Sequence, residues 1–94
     1  MIKKKEEVLR KGRILNNRLF KIYYLQDESY KVGFIAKRST TNPVKRNYIK
    51  RRIREFWRSK IQKGNYIFII KSPIVNTSNT QLIEELEKAV DRII

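Results

Sequence analysis

Apolar and polar positions change rhythm several times along the 94 residues. In Arg18 to Leu25, RLFKIYYL, residues Phe20, Ile22 and Tyr24 alternate with Lys21, Tyr23 and Leu25. That period of two, with its β-branched and aromatic content, predicts a strand. Tyr30 to Lys37, YKVGFIAK, repeats the rhythm with Tyr30, Val32, Phe34 and Ala36 on one face, and the polar QDES between the two runs predicts a hairpin. The run NYIFII at 65 to 70 lacks alternation, as expected of a strand covered on both faces. The C-terminal rhythm is helical: Leu82, Leu86, Val90 and Ile93 recur on one face behind a capping-box pair, Ser78 and Gln81. A short N-terminal helix is expected over Lys3 to Lys11, with Val8 and Leu9 apolar and Gly12 placed to end it.

The longest helical pattern begins at Thr40-Thr41-Asn42-Pro43. Asn42 suits the N-cap and Pro43 the first helical position, where its missing N–H costs nothing. Gly64 is the expected stop. At about 100° per residue, Ile49, Ile53, Phe56 and Trp57 form an apolar stripe expected to pack on the sheet, with Trp57 in the core. Arg46, Lys50, Arg54 and Arg58 step along an adjacent ridge, with Asn47 and Arg51 on the same polar side. Tyr48, Arg52 and Glu55 point more nearly away.

Composition gives that ridge its meaning. The chain carries 23 Lys plus Arg against 9 Asp plus Glu, a formal charge of +14 with a pI near 10.4. Self-repulsion of this size opposes a compact fold, and a polyanionic partner offsets it. A solvated helix face gains from opposite charges at i, i+4, whereas Arg46, Lys50, Arg54 and Arg58 form a like-charge ladder costing a few tenths of a kcal/mol per pair. Cations spaced along a rigid rod match spaced phosphates, and guanidinium groups give them bidentate donors. Nucleic acid is the favoured partner. No Cys is present, so disulfides and thiolate metal sites are excluded. No apolar run approaches membrane-spanning length, and a soluble, cytoplasmic, single RNA-binding domain over 1–94 is expected.

The order of residues adds a resemblance. Lys45-Arg46-Asn47-Tyr48-Ile49-Lys50-Arg51-Arg52-Ile53-Arg54-Glu55 resembles the signature of the bacterial ribonuclease P protein subunit, an Arg-Asn-Arg start, a Lys-Arg pair and Arg-Glu on one helix. Asn16-Asn17-Arg18-Leu19-Phe20 is similar to the family's strand entry and Val32-Gly33-Phe34 to its Val-Gly-aliphatic strand. Lys37-Arg38 before Asn42-Pro43-Val44 is similar to its basic loop, and Tyr66 to Ile70 with Lys71 and Pro73 to its last strand. Tyr48 stands where the second motif Arg is expected, Ser39 replaces a usual Lys, and Thr41 a usual Gly. Lys5 and Leu9 match positions where the family's first helix presents aromatic residues.

The resemblance implies an α+β, αβββαβα two-layer sandwich, ribosomal protein S5 domain 2-like, with a four-stranded sheet, helices packed on it and a left-handed βαβ crossover. It implies a subunit of an endoribonuclease that binds the catalytic RNA and the 5′ leader of precursor tRNA and promotes removal of the leader. Arg46, Asn47, Lys50, Arg51, Arg54 and Arg58 would grip the RNA subunit. Asn17, Arg18, Lys21, Tyr23, Lys37 and Arg38 would meet the leader and precursor tRNA. By the same resemblance Mg²⁺ enters through the RNA, and no protein partner is required.

The residues themselves speak to the chemistry. Hydrolysis of RNA by this chain would call for His or clustered carboxylates, yet there is no His and the acids are scattered as Glu6-Glu7, Asp27-Glu28, Glu55 and a C-terminal set. Glu84, Glu85, Glu87 and Asp91 read as a solvated helix face. Tyr23, beside Lys21 on a strand, suits either stacking of unpaired bases or simple packing under the first helix. A ribosomal or other structural RNA-binding protein shares the charge and layout. A DNA-binding architectural protein fits less well, lacking helix-turn-helix spacing and a heptad seam.

Overall fold

The computed structural model describes residues 5–36, 43–71, 74 and 76–94. Elements follow in the order α1 (Lys5–Lys11), β1 (Arg13–Asn16), β2 (Phe20–Leu25), β3 (Tyr30–Ile35), α2 (Pro43–Lys60), β4 (Gly64–Ile70) and α3 (Asn79–Ile93), which is the expected αβββαβα succession. The expected cap at Asn42 lies outside the described residues.

One four-stranded sheet forms, in the order β1-β2-β4-β3. β4 runs antiparallel to β2, with Phe20 opposite Ile70, and parallel to β3, with Tyr30 opposite Gly64. The expected β2–β3 hairpin therefore does not form, because β4 is inserted between the two strands. Two causes are visible. β4 is buried along nearly its whole length on both faces, so the centre of the sheet suits it best. The polar segment after β2 is also tied to β4 and not to a tight turn. Asp27 Oδ1 accepts from Ser29 N (3.0 Å), Asp27 Oδ2 accepts from Asn65 Nδ2 (3.2 Å), and Gly64 N donates to the Ser29 carbonyl (2.9 Å).

Alternation along the strands divides the apolar residues between two faces. Phe20 and Ile22 of β2 and Tyr66, Phe68 and Ile70 of β4 meet Ile49, Ile53 and Trp57 of α2 and Leu82, Leu86, Ala89 and Val90 of α3. Trp57 is fully buried and stands edge-on to Phe68 (centroids 5.0 Å, 88°) and Tyr66 (5.3 Å, 72°). On the opposite face Val8 of α1 packs with Ile67, flanked by Leu9, Tyr23, Leu25 and Ile35. Both α2 and α3 thus cover one face, and α1 lies on the other.

The helix ends show what glycine is for. α1 stops at Gly12, whose N–H donates to the Val8 carbonyl (2.9 Å); a Cβ there would lie 2.3 Å from that oxygen and 2.8 Å from the Tyr24 carbonyl, so only glycine lets the helix end pass against β2. α2 ends at Lys60, short of the expected stop. Gly64 instead opens β4 at φ +105°, a conformation that side chains rarely adopt, and a Cβ there would crowd the Tyr66 hydroxyl at 2.7 Å. α3 starts on the expected capping box: Gln81 N donates to Ser78 Oγ (3.2 Å) and Ser78 N to Gln81 Oε1 (3.4 Å).

Candidate nucleic-acid interface

The anchored stripe of α2 fixes where its cations point. With Ile49, Ile53 and Trp57 held in the core, Arg46 and Lys50 emerge half-buried and Arg54 and Arg58 exposed, one turn apart. Arg54 and Arg58, the later half of the ridge, lie beside β3, the edge strand of the sheet. Arg54 places its guanidinium 5.2 Å from the Phe34 ring centroid. Burial pushes the Tyr30 phenol above its usual pKa, while the nearby charges of Arg58 and Arg54 pull it back. Among the described residues, no carboxylate pairs with any of the four ridge cations. Asn47 and Arg51 are exposed on the same helix, and Arg51 lies 5.9 Å from the Tyr48 ring centroid. Arg52, by contrast, is tied to α3: its Nε donates to Asn79 Oδ1 (3.1 Å).

The second predicted group lies elsewhere. Lys21 and Tyr23 are on the α1 face of the sheet, both half-buried, with the ammonium 5.0 Å from the Tyr23 ring centroid. Tyr23 packs against the Val8–Ile67 cluster and still keeps part of its ring open. Asn17 shapes the β1–β2 turn, its Oδ1 accepting from Leu19 N (2.8 Å) and Phe20 N (2.9 Å), so that acceptor is spent on the fold. Arg18 is exposed beside it. Lys71 secures the same turn, its Nζ donating to Asn16 Oδ1 and to the Asn17 carbonyl (2.6 Å). Lys37 and Arg38 lie outside the described residues. The fold therefore brings the ridge residues together on one side of the sheet and places Lys21 and Tyr23 on the other. The Tyr48–Arg51 pairing was not foreseen, although its i, i+3 spacing was the available signal.

Among the described residues, no three His, Cys, Asp or Glu side chains lie together as a metal-holding group. An open cleft of about 960 Å³ at one end of the sheet is lined by Lys11, Arg13, Lys60, Lys63, Tyr24 and Tyr66 among others, with Lys63 paired to Glu28 at 3.5 Å. No predicted site residue falls there. No helix among the described residues is long and apolar enough to cross a membrane. What the arrangement can do is present rows of guanidinium and ammonium groups, with aromatic rings beside them, from a rigid support.

A strongly basic helix anchored on a mixed four-stranded sheet defines a small α+β protein. The Ribonuclease P family model matches residues 3–94, and the chain belongs to that family. Among its relatives, the ribonuclease P protein component of an Exiguobacterium species is 29% identical over 99 residues, covering 97% of this chain and 87% of that protein. The ribonuclease P protein component of a Nitratiruptor species is 24% identical over 89 residues, covering 92% and 82%. The Staphylococcus aureus RNase P protein superposes with a TM-score of 0.80 at 28% identity, covering 95% of this chain and 86% of that one. The Thermotoga maritima RNase P protein shares the fold, with a TM-score of 0.83 at 20% identity over 98% and 93% of the two chains.

Proposed function

We propose that this chain binds the catalytic RNA of ribonuclease P through α2 and the 5′ leader of precursor tRNA on the α1 face of the sheet, promoting removal of the leader in the cytoplasm. The observation that carries this reading is the ridge: like charges one turn apart, without carboxylate partners among the described residues, on a helix whose other side is locked in the core. Phosphates supply the missing counter-charge. The opposite face supplies a different contact. A half-open Tyr23 with Lys21 beside its ring suits one stacked base and one phosphate of a single strand. Family membership supports tRNA processing as the setting. Mg²⁺ would be held by the RNA, which would cut the bond, while this chain orients and neutralises.

The test is cleavage of precursor tRNA by the cognate catalytic RNA at low Mg²⁺, where adding the protein should stimulate correct cutting. Binding of ribosomal RNA without such stimulation would favour a structural RNA-binding role instead. Tyr23→Ala separates the two faces. It should weaken precursor tRNA binding to the assembled enzyme by about 1 to 3 kcal/mol, the worth of a base–aromatic stack, and leave mature tRNA binding and assembly nearly unchanged. An equal loss for precursor and mature tRNA, or a fall in melting temperature large enough to explain the defect, would assign Tyr23 to packing under α1 alone.

A further inference from the structure

Tyr48 is 46% exposed and Val44, one turn before it, is 81% exposed; they are the large apolar residues that α2 leaves to solvent. Isolated exposed apolar side chains are ordinary on protein surfaces. The surroundings of Tyr48 are not. Arg46, Arg51 and Arg52 all lie within four residues of it, and the Arg51 guanidinium sits over its ring at 5.9 Å. Arg52, one turn after Tyr48, is instead tied to Asn79 of α3. The ring is thus drawn toward a cation while about half of the side chain stays open. Guanidinium on one ring face favours an electron-rich π-system held against it, and a nucleobase on the remaining surface completes such a stack.

We infer that Tyr48, backed by Arg51, is a stacking platform for one unpaired base of the catalytic RNA. This rests on the reading of α2 as the helix that binds that RNA. Two exposed apolar side chains offer far less surface than the roughly 800 Å² per partner of a stable protein interface, but one ring matches one base. Cations dense around the ring attract phosphates flanking that base. Tyr48 lies off the Arg46 ridge, one turn before the Arg52 that meets Asn79 of α3. RNA engaging both the ridge and Tyr48 would cross the exposed back of α2, with phosphates along the ridge and a splayed base at Tyr48. The ridge then tolerates any sequence, whereas Tyr48 demands an unpaired nucleotide at one place.

The experiment measures affinity of the full chain for the cognate catalytic RNA over a range of salt. Tyr48→Phe should bind within about twofold of wild type. Tyr48→Ala and Tyr48→Leu should each bind roughly tenfold more weakly, the middle of the range for a lost stack, with an unchanged slope of log affinity against log salt because no phosphate contact is removed. Tyr48→Trp should keep the affinity and show emission quenched by the RNA, against a constant background from buried Trp57. Wild-type affinity in Tyr48→Ala, retained affinity in Tyr48→Leu, or a loss in Tyr48→Phe equal to that in Tyr48→Ala would each overturn the platform. A loss confined to precursor tRNA would do the same. Alanine at Arg46, Lys50 and Arg54, assayed alongside, separates the two failures: unaltered binding there removes the RNA-binding reading of α2 itself, whereas weakened binding there with unaltered Tyr48→Ala removes only the platform.

Discussion

Trp57→Ala is expected to lower the free energy of unfolding by about 3 to 5 kcal/mol, the cost of emptying a buried aromatic site. Trp57 is the largest fully buried side chain and the point where α2 meets β4, edge-on to both Tyr66 and Phe68. Small domains hold only about 5 to 15 kcal/mol in total, so much of the folded state is at stake. At roughly 4 to 8 °C per kcal/mol for a chain of this size, the melting temperature should fall by tens of degrees. Trp57→Phe should cost far less. The indole N–H is buried without a hydrogen-bond partner among the described residues, so phenylalanine leaves a gap but removes an unpaired donor. Thermal unfolding of the two variants checks this. A shift below about 1 kcal/mol for alanine would mean that α2 is held chiefly by its other contacts.

The triple change Arg46→Ala, Lys50→Ala and Arg54→Ala should weaken binding of the catalytic RNA roughly a hundredfold near physiological salt. It should also flatten the slope of log affinity against log salt by about one unit per lost phosphate contact, about three in all. Stability should barely move. Removing three like charges relieves repulsion along the helix, while losing Arg54 uncovers the Phe34 ring that it overlies. Titrations at several salt concentrations, with thermal unfolding as the control, decide the matter. An unchanged slope would show that the ridge does not touch phosphate.

What the sequence disclosed was whatever is local and periodic. The stripe of α2, the capping box of α3 and the two-faced burial of β4 all follow from spacing that a single element imposes on itself. β1 was not legible from the residue pattern, which left it to the family resemblance, because its four residues offer one inward side chain, Leu15, while Ile14 is 56% exposed, so no alternation announces it. The β2–β3 hairpin failed for a different reason. Nothing near Asp27 reveals that Asn65 will arrive to take its carboxylate, since strand order is decided by partners far away in the chain. The same divide runs through the candidate site. The ridge was legible from the recurrence of Arg46, Lys50, Arg54 and Arg58, and the i, i+3 spacing of Tyr48 and Arg51 was there to be read, but the spending of Asn17 Oδ1 on a turn needed three dimensions.

The insertion of β4 between its neighbours sets a timetable. As the chain is synthesised, β1 and β2 can pair early, being adjacent in the sheet, but β3 has no strand to join until β4 follows α2 out. The pairings of β4 with β2 span up to about half of the chain, from Phe20 to Ile70, so closing them carries the loop-entropy cost that slows folds rich in non-local contacts. In that interval the most cationic segment of the protein already exists while the strand against which Trp57 packs does not. Any polyanion reaching α2 then meets a nascent helix with its apolar stripe uncovered. A polyanion that held α2 before β4 was placed would compete with closing the core over Trp57, so the late strand is the one on which completion of the fold turns.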